Sequence, residues 1–207
     1  MFSMFVEGSH DAINSNLRGI VFAVSLQYSK DPDVTFDHIM RVFKTDSSID
    51  AKLAALSSIG ATNSVKIVEK ILETVVLDQE IVKPQDVMRP ISSIANLSMM
   101  KPIVLDMLWV WFVKNWKVLH KQLATTLTLL GRVLETCVSS RIGDAFVGEV
   151  EAWASGGDCG TEEERALRLE ETVATKRPLE QALERVRAQT SWVVRDTDGV
   201  LEWAGKL

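Results

Sequence analysis

The residue types that carry out acid–base, nucleophilic or metal chemistry are sparse in this chain. Its 207 residues include three histidines, His10, His38 and His120, and two cysteines, Cys137 and Cys159. No two histidines have the spacing of a helical zinc pair, and the cysteines lie too far apart for a pair of zinc ligands. The sequence therefore predicts no metal site, no cofactor and two free thiols in a reducing compartment.

Among these residues, His10 is the best candidate for proton transfer; it precedes Asp11 near the expected start of the first helix, where it could lie at the rim of a concave site. A mobile chain terminus is the plainer interpretation of the same position. His120 is interpreted as an exposed histidine at a helix end, where the helix dipole favours its charged form. The glycine-rich loop 156–160 lacks the preceding strand that a phosphate-binding loop requires, so it is interpreted as a linker.

The charge balance and hydropathy argue against two classes of partner. The net charge is −5, whereas nucleic-acid binding needs a broad basic footprint, so no nucleic acid is expected. The most apolar run, Pro102–Val113, is interrupted by Asp106 and is too short to span a membrane. The N-terminus has no basic start before its short apolar stretch, so no signal peptide is expected. These features together predict a cytoplasmic protein.

The elements that position these residues are predicted to be helices, because apolar residues recur at three- and four-residue spacing between short breaks. Gly60 is expected to end the third helix as a C-cap, and Asp86 to cap the start of the fifth. The expected helices cover about 11–29, 33–44, 49–60, 63–76, 85–98, 102–121, 123–138 and 141–154, followed by a charged helical region from Thr161 that is interrupted at Pro178 and a final helix near 197–206.

Helices of these lengths joined by short connections favour antiparallel neighbours. Successive helix pairs of about 35–40 residues favour a curved α-solenoid of the HEAT or armadillo kind. The predicted fold class is therefore all-α, with a single domain over residues 1–207. Its main stack covers residues 11–154, and a charged helical C-terminal part covers residues 161–207.

Three of the six tryptophans lie in one short segment, WVWFVKNW, at Trp109–Trp116. On a helix, Trp109, Phe112 and Trp116 fall on one wide apolar stripe, which is typical of core packing. A platform that stacks on bases or sugars would need arginine and lysine interleaved around the rings, and they are scarce here. The tryptophan stripe is therefore predicted to be buried.

The same segment resembles a helix of zinc aminopeptidases. LWVWFVKNW is similar to the "LWxWLxxNW" helix in the C-terminal domain of the puromycin-sensitive and alanyl/arginyl types, especially the fungal members. Four further stretches resemble that domain in the same order, namely NLRGIVFAVSLQYS, AKLAALSSIGAT, IVKPQDVMRPISSI and the closing segment 177–207. The resemblance covers nearly the whole chain.

This resemblance implies a curved stack of helix pairs, forming a bowl that closes over the catalytic domain and contacts the far part of a peptide substrate. Catalysis in that family needs a zinc held by H-E-x-x-H and a downstream glutamate, and a G-x-M-E-N segment for the substrate's amino terminus. Neither motif occurs in this sequence, so no zinc aminopeptidase activity is expected from this chain alone. The start at Met1 is interpreted as that of a small protein built from the C-terminal domain, or of an excised domain.

The chain departs from the family pattern at helix ends that the resemblance places on the concave side. Asn14 and Ser15 stand where the family commonly has His-Pro. Ser57 and Ala61 stand at arginine positions, and the segment 94–100 replaces an LRSHPEG-type sequence. A new, non-peptide ligand and drift in a decaying gene copy explain these changes equally well.

Two functional hypotheses follow. In the first, the concave pocket binds a small organic molecule and catalyses a metal- and cofactor-free cyclisation, condensation or isomerisation in a biosynthetic pathway, by enclosure and orientation. The predicted ligand-binding residues, chosen from helix faces, are Asn14, Arg18, Gln27, Ser58, Asn96 and Met99, with His10 at the rim as the catalytic acid or base.

In the second hypothesis, the chain is a non-catalytic module that binds a peptide or docks onto another protein or a second copy of itself. A surface that faces another domain should carry exposed apolar residues. The candidates for such a surface are Phe2, Met4, Phe5 and Trp203.

Overall fold

The computed structural model describes residues 1–98, 101–123 and 126–205, without the side chains of His10, Lys101 and Leu127. Within these ranges the chain forms helices and no strand, which confirms the all-α prediction. The α-helices are α1 (Phe2–Val6), α2 (Arg18–Gln27), α3 (Pro32–Thr45), α4 (Ile49–Leu56), α5 (Val65–Lys70), α6 (Met88–Leu97), α7 (Lys101–Lys114), α8 (Trp116–Gln122), α9 (Leu127–Ser139), α10 (Asp144–Ala154), α11 (Glu162–Thr172) and α12 (Lys176–Ala204).

Contacts divide the chain into two compact units, Met1–Trp111 and Phe112–Leu207. The first unit has its core between α1, α2, α3, α4 and α6, and the second between α8, α9, α10 and α12. The curved solenoid, the single domain over 1–207 and its parts 11–154 and 161–207 stay predictions.

The first predicted helix, about 11–29, is shorter than expected. Ile13 and Asn14 have extended backbone conformations. They separate the 3-10 turn His10–Ala12 from a second 3-10 turn, Ser15–Leu17, which leads directly into α2. The short helix α1 was not expected from the sequence. It packs on α2 through Phe5, whose ring meets that of Phe22 edge-on at 5.4 Å between centroids.

Three helix starts in the first unit are capped by a side chain. The side chains of Asp31, Ser48 and Ser64 each accept a backbone N–H at the start of α3, α4 and α5. The cap predicted at Asp86 is wrong, because no side-chain cap is present at the start of α6. Asp86 instead pairs with Arg89 Nε, one helical turn onward, at 3.0 Å.

The C-cap predicted at Gly60 is also wrong, and its real role lies in helix packing. α4 already ends at Leu56, with Ser57 as its cap. The backbone of Gly60 lies against α6, so close that a Cβ would stand 2.2 Å from the backbone nitrogen of Ile94. Only glycine permits this approach. The Gly60 N–H donates to Ser93 Oγ at 2.8 Å.

The segment predicted as one helix over about 102–121 is two helices, α7 and α8, which meet at Asn115. The predicted burial of the tryptophan stripe is confirmed, since Trp109 and Trp116 are 2% and 1% exposed. Trp111, expected on the flank of the stripe, is buried as well. In the second unit, the rings of Phe112, Trp116 and Trp153 pack edge-on at 5.1–5.6 Å between centroids.

The C-terminal part ends in one long helix rather than the two predicted elements. Thr161 and Glu164 form a capping box at the start of α11. Pro178 lies in the first turn of α12, where a helix needs no N–H from it, so the helix continues to Ala204 without interruption. The predicted break at Pro178 and the separate final helix near 197–206 are therefore wrong.

Candidate functional site

Asn14, the first predicted ligand-binding residue, makes a local backbone contact. Its side chain is exposed, and its Oδ1 accepts the backbone N–H of Asn16 at 3.0 Å. This bond caps the 3-10 turn that precedes α2, which is a common role for asparagine. The structure thus gives Asn14 a structural partner within its own turn.

Arg18 lies in the first turn of α2 and is half-buried. Its guanidinium stands 5.3 Å from the centroid of the Phe5 ring, and its Nη1 donates to Ser48 Oγ at 3.5 Å. A cation over an aromatic face contributes about 0.5–1 kcal/mol at a partly exposed site. Arg18 therefore connects α2 to α1 and to the start of α4.

Gln27 ends α2 at a distance from Arg18. With 1.5 Å rise per residue, the two Cα atoms are about 13 Å apart along the helix and on opposite faces. The backbone carbonyl of Gln27 accepts a hydrogen bond from Asn63 Nδ2 at 3.0 Å. Arg18 and Gln27 therefore do not face one small ligand.

The remaining predicted residues occupy different environments. Ser58 is 1% exposed, and its Oγ donates to the carbonyl of Ala55 at 2.8 Å. Asn96 is exposed in the last turn of α6. Met99 and the side chain of His10 lie outside what the structure describes. Ligand binding by Met99 and catalysis by His10 therefore stay predictions.

Four surface pockets of about 150–360 Å³ are formed by described residues. Asn14, Arg18, Gln27, Ser58 and Asn96 line none of these four. The pocket of about 300 Å³ on the first unit lies instead between α1 and the C-terminal end of α3. The predicted residues therefore do not converge on any of these cavities.

The most apolar of these four pockets is a groove of about 360 Å³ on the second unit, between α10, α11 and α12. Its volume falls in the range of small-molecule sites. The apolar side chains that line it are Leu169, Val173, Leu179 and Leu183, and the charged groups at its rim include Lys176 and Glu180. We name it the α11–α12 groove.

The described residues contain no group of three or more His, Cys, Asp or Glu side chains able to hold a metal ion. Cys137 is buried in α9, and burial raises the pKa of its thiol above the ordinary value. Such a thiol is a poor nucleophile, because the reactive form is the thiolate. Within the described ranges, no helix is long and apolar enough to cross a membrane.

The feature of the first unit that the sequence analysis missed is the outer face of α2. Phe22 and Leu26 are buried on the inner face of this helix. The opposite face is also apolar, and its residues Leu17, Ile20, Val24 and Tyr28 are 49%, 63%, 48% and 71% exposed. Their three- and four-residue spacing was visible in the sequence. This second apolar face was not recognised, because a single apolar face is enough to predict an amphipathic helix.

The apolar residues predicted for a docking surface divide into two groups. Met4 and Trp203 are exposed, at 53% and 63%. Phe5 is 2% exposed, and Phe2 packs edge-on against Phe22 at 5.9 Å between centroids. The aromatic rings of α1 therefore belong to the core of the first unit.

Comparison with known proteins identifies the family. The model of the ERAP1-like C-terminal domain matches residues 1–188. The chain belongs to the ERAP1-like C-terminal domain family. This confirms the resemblance to the C-terminal domain of aminopeptidases that the sequence motifs suggested.

The similar proteins are aminopeptidases much longer than this chain. Aminopeptidase 2 of Candida albicans is 27% identical over 208 residues, covering 98% of this chain and 20% of that protein. Mitochondrial aminopeptidase 2 of Saccharomyces cerevisiae is 26% identical, covering 97% of the chain and 19% of that protein. Human glutamyl aminopeptidase is 23% identical, covering 98% and 19%. This ERAP1-like C-terminal domain thus spans about a fifth of the length of the relatives it matches.

Proposed function

We propose that this chain is a non-catalytic binding module that docks onto a second polypeptide through the outer face of α2. The observation that carries the proposal is that α2 is apolar on both faces, with Phe22 and Leu26 inside and Ile20 and Val24 outside. A helix that is hydrophobic all round is normally buried on all sides. We therefore expect the exposed apolar outer face of α2 to be buried by a partner.

The partner that we propose for this face is an aminopeptidase chain similar to the relatives. A helix face that stays in contact with water is normally polar. Leu17, Ile20, Val24 and Tyr28 make the outer face of α2 apolar instead. Because these side chains are about half exposed, covering them contributes about 1 kcal/mol each before the costs of association.

The test is co-expression of this chain with a tagged Candida albicans aminopeptidase 2 from which the segment that aligns with this chain, about a fifth of its length, has been removed. We expect the wild-type chain to be recovered with the tagged polypeptide in about equal amounts. Val24→Lys places a charge in the covered face, so recovery should fall at least about tenfold. Ile142→Lys, at an exposed apolar position of the second unit, is the matched control and should be recovered like the wild type.

Val24→Lys should leave the thermal midpoint of the isolated chain unchanged, because Val24 is half exposed there. This separates lost docking from lost folding. Equal recovery of the wild type and Val24→Lys, or no recovery of the wild type with a soluble tagged partner, contradicts the proposal.

A second candidate function is favoured by the α11–α12 groove. Its volume and apolar lining suit a small organic molecule. Enclosure there could promote a cyclisation, condensation or isomerisation without metal or cofactor, with Lys176 and Glu180 as the charged groups at hand. A thermal-shift screen of apolar metabolites tests this candidate, since a ligand at 100 times its Kd stabilises the fold by about 2.7 kcal/mol. Val173→Arg, which crowds the groove, should abolish the shift, and Ile142→Arg should preserve it.

A further inference from the structure

The second half of α12 extends away from the core of its unit. Leu179, Ala182, Leu183 and Val186 are buried in the first half. Farther along α12, Thr190 Oγ accepts the N–H of Gly143 at 2.8 Å. None of the described residues after it is buried. A helix of this length is marginal in water without a partner.

This extension carries large apolar side chains in a regular order. Trp192, Val200, Leu201 and Trp203 are 54%, 49%, 64% and 63% exposed. Trp192, Asp196, Gly199 and Trp203 follow one another at intervals of four, three and four residues, which is the spacing of a seam between two packed helices. We call these four positions the α12 seam.

A notch interrupts the α12 seam at Gly199. A Cβ at this position would meet no atom within 4 Å. The notch is bounded by Arg195, Asp196, Val200 and Trp203. Asp196 and Arg195 form an ion pair of 2.7 Å next to it. The seam therefore has two large ends, a charged pair and a gap.

We propose that the chain self-associates as a two-fold antiparallel pair through the α12 seam. This register places Trp192 of one copy opposite Trp203 of the other, and Asp196 opposite the notch at Gly199. Because Gly199 has no side chain, the notch of one copy leaves room for the Arg195–Asp196 ion pair of the other. A two-fold contact of this kind needs one self-complementary surface.

Charge complementarity favours the antiparallel orientation. Arg195, Asp198 and Glu202 lie on the same flank of the helix at 3.6 residues per turn. In the antiparallel register, Arg195 of one copy approaches Asp198 and Glu202 of the other. A parallel pair would instead bring each Asp196 of the seam against its own equivalent, and two like charges in contact are unfavourable.

The area of the α12 seam predicts a weak pair. An aromatic side chain can bury about 150–250 Å², and each tryptophan here is a little more than half exposed. Four tryptophans therefore supply about 400–500 Å², and the neighbouring valine and leucine side chains raise the total toward 1,000 Å². That is the lower limit of specific interfaces. We therefore expect dissociation constants of tens to hundreds of micromolar.

The test is sedimentation equilibrium of the full chain from about 5 to 500 µM. We expect a reversible monomer–dimer equilibrium that Trp192→Ala and Trp203→Ala each weaken at least about tenfold. Gly199→Ala gives the sharper readout. It should raise the thermal midpoint of the dilute monomer, because alanine favours a helix over glycine, and yet weaken the dimer, because it fills the notch.

Two further variants fix the orientation and separate this proposal from the docking proposal. Arg195→Glu should weaken the dimer, and adding Glu202→Arg should restore it. Val24→Lys on α2 should leave the dimer unchanged. A chain that stays monomeric up to 500 µM overturns the proposal, as does a dimer insensitive to Trp203→Ala and Gly199→Ala or one that Val24→Lys dissociates.

Discussion

The indole nitrogen of Trp116 lies 2.6 Å from Oε2 of Glu171, so a tryptophan from the motif helix donates a hydrogen bond to a carboxylate from the charged C-terminal part. Trp116 is 1% exposed. A buried tryptophan needs a partner for its N–H. The pair therefore connects α8 to α11 within the second unit.

Removing this acceptor should destabilise the chain. We expect Glu171→Ala to lower the free energy of unfolding by about 1–3 kcal/mol, because the indole N–H then loses a charged acceptor in a buried position. Glu171→Gln keeps an acceptor oxygen and should lose less than about 1 kcal/mol. Urea denaturation followed by tryptophan fluorescence measures both.

The control for this pair is Glu162→Ala, at an exposed position of the same helix. It should change the free energy of unfolding by less than about 0.5 kcal/mol. A loss for Glu162→Ala equal to that for Glu171→Ala would mean that general charge on α11, and not this hydrogen bond, sets the stability.

Gly60 gives a second prediction, based on its contact with the backbone of α6. A Cβ at this position would lie 2.2 Å from the backbone nitrogen of Ile94 and 2.3 Å from the carbonyl carbon of Ser93. Because backbone cannot move aside as a side chain can, we expect Gly60→Ala to cost at least about 3 kcal/mol of unfolding free energy. Chemical denaturation measures this loss.

Gly148→Ala is the matched control for Gly60→Ala. Gly148 lies inside α10, and a Cβ there would meet nothing within 4 Å. We expect it to gain about 0.5–1 kcal/mol, the usual advantage of alanine over glycine in a helix. If both alanines were tolerated equally, the close approach of Gly60 to α6 would be wrong.

The sequence predicted those features of the fold that depend on local signals. Apolar spacing and the breaks between apolar runs identified α3, the buried tryptophan stripe and the helix starts near Ser48 and Thr161. It failed where two segments meet in space. Gly60 has the local appearance of a C-cap, but a contact with α6 determines its role. Pro178 looks like a break but lies in the first turn of α12, where it is tolerated.

The candidate site was harder to predict than the fold, because a ligand site depends on which side chains converge. Reasoning from helix faces placed Arg18 and Gln27 on one pocket lining, but they lie two and a half helical turns apart, about 13 Å along the axis and on opposite faces. Ser58 was also predicted to bind the ligand, but its hydroxyl is buried and donates to the carbonyl of Ala55 in the preceding helix α4. The apolar outer face of α2, in contrast, could have been predicted from the sequence alone, by examining every side of the helix and not only one face.

Cysteine reactivity provides the last prediction. Burial raises the pKa of the Cys137 thiol, so the folded protein disfavours its thiolate. Cys159 is half-buried in the loop before α11. At about pH 8, a disulfide reagent such as dithionitrobenzoate should modify Cys159 within minutes, and Cys137 at least about a hundredfold more slowly, through unfolding alone. Cys159→Ser should therefore remove the fast phase and keep the slow one.

The same pKa shift predicts how stability depends on pH. Because the pKa of Cys137 is higher in the folded than in the unfolded state, the unfolded state loses its proton first as the pH rises. The contribution of the Cys137 thiol to the free energy of unfolding is therefore fully present below the ordinary thiol pKa of 9.0 and is lost progressively above it. Urea midpoints from pH 7 to 10.5 should fall above about pH 9 in the wild type and fall less in Cys137→Ala. Equal slopes for the two proteins, or rapid labelling of both thiols in the folded chain, would show that Cys137 is not buried as the structure has it.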